Sequence, residues 1–133
     1  MLSLGFGILF LRGMDWVKIA GSSGFLGVAL GAFGAHALKD RLTPEMLHAW
    51  NTGVLYHLIH AVALLALGLF AKASATDIRW GARFFLIGMV LFSGSLYALS
   101  LSGIKPLGAI TPLGGVAFLL GWGWVAWKLA ARS

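Results

Sequence analysis

Thr52, Tyr56 and His60 stand four residues apart, which puts three polar side chains on one face of a helix. His57 lies on the neighbouring face; His36 ends the apolar run before the group, and His48 opens the run that holds it. A second set, Ser93, Tyr97 and Ser100, shares a face further on, and Thr111 follows it. All of them are set among long apolar runs. In such surroundings polar side chains turn toward one another or toward a polar cavity. Three chemistries are open to them. They can hydrogen-bond across helices, at about 1 kcal/mol or less each. They can line a small pocket for a quinone or lipid head group, built from His36, Thr52, Tyr56, His60, Ser93, Tyr97 and Thr111. Or His36, His57 and His60 can ligate a metal or haem, since imidazole is a competent ligand.

The metal reading is the weakest of the three. The histidine spacing matches no metal signature, and no carboxylate lies within the apolar runs to complete a site. The expectation is therefore no metal and no cofactor. Catalysis has no better footing. Neither a G-x-S-x-G elbow nor an H-E-x-x-H helix is present, cysteine is absent, and Gly114–Gly115 after Pro112 reads as a helix start instead of a phosphate loop. The chain is expected not to be an enzyme.

The elements that must position these residues follow from composition. Of the residues, 59% are hydrophobic and 11% charged, against about 25% charged in a soluble domain. So few charges cannot clothe a water-facing surface. A helix needs about 20 mostly apolar residues to cross a bilayer, and four segments qualify: residues 17–38, 46–71, 80–104 and 106–128. Asp15, Asp40, Glu45 and Asp77, all the carboxylates there are, fall outside them. The expected fold is all-α: a membrane bundle of four transmembrane helices with short loops, in a single domain over residues 14–133. Thr43 followed by Pro44 marks the start of the second helix, as N-cap and first helical residue. Residues 1–13 are too short to span; either they extend the first helix or lie at the interface, or they are a dispensable N-terminal extension ahead of a start near Met14 or Asp15, the reading preferred.

Charge sets the orientation. Arg12, Lys18, Lys72, Arg79, Arg83, Lys128 and Arg132 fall at one end, and Lys39, Arg41 and Lys105 at the other. Seven against three places both termini in the cytoplasm. Trp16, Trp80 and Trp127 would mark that interface, and Trp50 the opposite one. The net charge of +6 is thus a topogenic signal. Nothing in its distribution tracks phosphates, so no nucleic-acid partner is expected.

Glycines supply the contacts. Lipid tails are as apolar as leucine, so membrane helices associate where small residues let backbones approach. Gly24, Gly27, Gly31 and Gly34 form one stripe in the first span. Gly114 and Gly121, with Ala117 between them, form another in the fourth. These stripes are expected to pack the bundle or to join copies of it in a homo-oligomer or larger membrane complex. Four helices leave little room for a pore, and no internal repeat of the kind many transporters use is visible. Transport would require an oligomer.

Several motifs in order carry a resemblance. They are Gly31-Ala-Phe-Gly-Ala-His36, Trp50-Asn-Thr52, Tyr56-x-x-x-His60, Phe92-Ser-Gly-Ser-Leu-Tyr97 and Leu107-Gly-Ala-Ile-Thr-Pro-Leu-Gly-Gly115. From about Met14 onward the chain resembles the YgdD-like family of small bacterial inner-membrane proteins. That resemblance implies four helices in the inner membrane and no particular activity. The resulting expectation is a non-enzymatic structural or accessory component, with ligand binding as the alternative.

Overall fold

The computed structural model describes residues 14–132. The reading of residues 1–13 as an extension lies outside them. Four helices are long and apolar enough to cross a membrane: α1 (Trp16–Leu38), α2 (Pro44–Ser74), α3 (Arg79–Ser102) and α4 (Lys105–Leu129). No strand occurs among the described residues. At about 1.5 Å per residue the shortest, 23 residues, rises roughly 34 Å, enough for a hydrocarbon layer of about 30 Å.

Local chemistry fixes the ends. Asp15 caps α1 by accepting the Lys18 N–H at 3.1 Å. Thr43 caps α2 by accepting the Met46 N–H at 3.2 Å, with Pro44 in the first turn. α3 ends at Gly103, whose φ of 70° is the left-handed conformation that glycine adopts without a steric penalty. Pro106 and Pro112 do not break α4 apart. They start a short 3-10 turn over Lys105–Ala109 and then the α-helix at Thr111.

Each helix packs mainly on those before and after it in sequence, so α2 and α3 form the centre. The apolar core lies in the half nearer the termini. There Ala20, Leu64, Leu67, Ile78, Ala82 and Phe85 meet Met89 and Phe118. The same end carries an exposed Lys72–Asp15 pair at 3.8 Å and Arg83 stacked 5.2 Å over the Trp80 ring. Trp80 and Trp127 are exposed there, as an interfacial belt requires.

Trp50 departs from that belt. It is 1% exposed, and its indole N–H donates to the Leu30 carbonyl of α1 at 2.9 Å. Gly34 is what admits it, since a Cβ there would lie 2.5 Å from the indole nitrogen. Trp50 is an anchor between helices, and the reading of it as an interfacial residue is corrected.

The glycine stripes divide in the same way. Gly27 faces Leu58 and His57, Gly31 faces Val54, Gly114 meets the Phe92 backbone and Gly121 meets Phe85. Gly24 has nothing within 4 Å of where a Cβ would sit. Val17 and Ala20 before it and Gly27 and Gly31 after it do pack against other helices, so Gly24 alone leaves the stripe. Gly53, Gly68, Gly81 and Gly88, which the spacing argument passed over, make contacts as close as those it selected.

Candidate functional site

The intramembrane polar residues resolve into separate cross-ties. His60, on α2, is 3% exposed. Its Nδ1–H donates to the Tyr56 carbonyl at 2.7 Å, and its Nε2 accepts the Trp122 indole N–H at 3.0 Å. A carbonyl can only accept and an indole N–H can only donate. The two partners therefore fix the neutral tautomer with its proton on Nδ1. Phe118 stacks on the same ring, with centroids 3.5 Å apart. His60 thereby ties α2 to α4.

His57 ties three helices. The Tyr97 hydroxyl of α3 donates to His57 Nδ1 at 2.9 Å, His57 Nε2–H donates to Ser23 Oγ of α1 at 3.0 Å, and Ser23 donates to Met89 Sδ at 3.3 Å. That donor order uses every proton in the chain of four. A groove of about 430 Å³ between α1 and α3 runs past Ser23, His57, Met89 and Tyr97. The polar groups of those four residues already have one another as partners.

The serine and threonine ties lie between mid-bundle and the end away from the termini. Ser93, buried, donates to the Gly53 carbonyl at 2.6 Å. Ser95 donates to the Phe92 carbonyl at 2.9 Å and receives the Thr111 hydroxyl at 2.6 Å, joining α3 to α4. Ser100 bonds the Leu96 carbonyl of its own helix at 2.7 Å and the Met46 carbonyl of α2 at 3.0 Å.

The seven residues expected to line one pocket are thus spread over several contacts. His60 and Tyr56 are adjacent through one bond and a ring stack. Tyr97 belongs with His57, Ser93 with Gly53, and Thr111 with Ser95. His36 is exposed near the end of α1, and no hydrogen bond reaches its side chain or that of Thr52 among the described residues. Ser23 and Trp122 were missed. Ser23 stands beside an equally polar Ser22, and Trp122 between two glycines, and the importance of each comes only from a partner more than 30 residues away in sequence. Among the described residues no three of His, Cys, Asp or Glu come together in a way that could hold a metal ion.

Known proteins are similar to this chain along most of its length. Residues 30–115 match the family described as "Protein of unknown function (DUF423)". The chain is 44% identical over 112 residues to the UPF0382 membrane protein YwdK of Bacillus subtilis, spanning 80% of this chain and 89% of the relative. It is 42% identical over 104 residues to the UPF0382 inner membrane protein YgdD of Escherichia coli, spanning 77% and 79%. A UPF0382 membrane protein of Staphylococcus epidermidis is 37% identical over 107 residues, spanning 80% and 88%. None of these names describes an enzymatic activity. No solved structure matches. With four membrane-crossing helices and relatives of this kind along most of its length, the chain is a multi-pass inner-membrane protein and belongs to the DUF423 family of UPF0382 membrane proteins.

Proposed function

We propose that the protein is a non-enzymatic structural or accessory component of a larger inner-membrane assembly, with both termini in the cytoplasm. One observation carries this reading. Among the described residues, every buried side-chain nitrogen and oxygen has a hydrogen-bond partner inside the bundle. A catalytic or transport site keeps polar groups ready for its substrate, whereas here the buried ones hold helix to helix. The outer helices support the second half of the reading. α1 and α4 leave Phe25, Val28, Leu113 and Leu119 well exposed, an apolar surface that lipid or a neighbouring membrane protein can cover.

The test is a double-mutant cycle on His60→Phe and Trp122→Phe, read on two observables. The first is stability in bicelles, where the two changes should show a coupling of about 1 kcal/mol. The second is the size of the species in which the chain migrates from gently solubilised native membranes. The double variant, which removes donor and acceptor together, should keep the same native species, larger than the lone chain. A folded double variant that loses that species, or a wild-type chain that migrates alone, overturns the reading.

A further inference from the structure

The Tyr56 hydroxyl is a polar group inside the membrane without a partner. No hydrogen bond reaches the Tyr56 hydroxyl among the described residues, and the side chain is 39% exposed. Its depth makes this notable. α2 has 31 residues, and its midpoint is residue 59. Glu45 and Lys72 stand almost equally far on either side, which centres the helix on the bilayer. Tyr56 is then about 5 Å of helix rise from the midplane. The head-group region begins about 15 Å from it. Hydrocarbon offers a phenol no partner, and an unmade hydrogen bond there is costly.

Tyr56 lines a groove of about 410 Å³ between α2 and α4. Aromatic rings form its wall. Tyr56 lies 4.5 Å from Phe92 and 6.2 Å from Phe118, centroid to centroid, and Trp122 lines the same space. Gly115 borders it and has nothing within 4 Å of where a Cβ would sit, so a side chain there would project into open space. Leu119, 72% exposed, stands at the rim and leaves the mouth open to lipid.

We infer that this groove holds the head ring of a lipid-soluble quinone, with the Tyr56 hydroxyl donating to a ring carbonyl. Three features select that class. An aromatic wall favours a flat ring lying against it. A single unpartnered donor calls for an acceptor, and a carbonyl is one. The depth puts phospholipid head groups out of reach, whereas a quinone ring with its isoprenoid tail enters the hydrocarbon. An acyl chain could fill the same volume but would leave the hydroxyl unpaired. The proposal concerns binding alone. It goes beyond the structural reading above and fails separately from it, because the His60–Trp122 tie does not involve the phenol.

The test titrates decylubiquinone into the full chain in nanodiscs and follows indole quenching, with Trp122 at the groove. The expected result is saturable quenching at about one quinone per chain. Tyr56→Phe keeps the ring and its stacking while deleting the donor, and should weaken binding on the order of tenfold with an unchanged melting profile. Gly115→Leu fills the groove and should abolish binding. Decylbenzene, with the same tail and no carbonyl, should not compete. Quenching that rises without saturating, or that saturates equally in wild type and Tyr56→Phe, overturns the proposal. Competition by decylbenzene as strong as by quinone also overturns it, and identifies an acyl-chain groove.

Discussion

Replacing Gly114 with leucine should lower the stability of the bundle by about 3 kcal/mol, while the same change at Gly115 should leave it within about 0.5 kcal/mol. The two residues are adjacent and equally small. They differ only in what they face. A Cβ on Gly114 would run into the backbone nitrogen of Phe92 and lie 2.7 Å from its Cα. A backbone cannot rotate aside as a side chain can, so α3 and α4 would have to separate. Separation would also stretch the Ser95–Thr111 tie, now 2.6 Å. At Gly115 the added side chain meets open space. Reversible unfolding of both variants in bicelles measures the contrast. Equal losses at the two positions would show that α3 and α4 do not meet through Gly114.

Trp50→Ala should cost about 3–5 kcal/mol, the range for deleting a large buried aromatic. Trp50→Phe should cost about 1 kcal/mol, the worth of one hydrogen bond. Trp50 fills the space beside Gly34 and packs on Tyr97, with ring centroids 4.8 Å apart. Truncation to alanine therefore empties a contact that joins α1, α2 and α3, and leaves lipid tails no route to replace it. Phenylalanine retains much of that packing and forfeits the bond to the Leu30 carbonyl. The same unfolding assay separates the two variants. If alanine and phenylalanine cost the same, the indole N–H and not the ring volume is what matters at this position.

Both predictions turn on which face of a helix is inside, and that is what the sequence hid. Element number and ends were plain in it. Charges, Thr43, Pro44 and the tryptophans bracket the spans, and the helices begin and end within about three residues of the expected points. Facing was harder, because in lipid both faces of a helix are apolar and hydropathy carries no direction. Trp50 shows the result. Its place near the start of α2 reads as interfacial, yet it turns inward because Gly34 opposite leaves room. The histidines show it again. Tyr56 and His60 share a face and attract notice, while His57, one residue off that face, joins α1, α2 and α3. Gly24 fits the glycine spacing yet has open space where a Cβ would sit, whereas Gly53 and Gly88 fit no stripe and face Tyr97 and Phe118. Spacing gives the angle around one helix. The partner helix decides which angle is buried.

The central claim is that the buried histidines hold the bundle together as neutral hydrogen-bonded ties. Nitrogen NMR of the histidine side chains, in the full chain in nanodiscs of native lipid, tests it most directly. The account predicts that His60 carries its proton on Nδ1, and that its Nε2 resonance moves when Trp122→Phe removes the indole donor. A His60 protonated on Nε2, or one indifferent to the loss of the Trp122 indole, would contradict it.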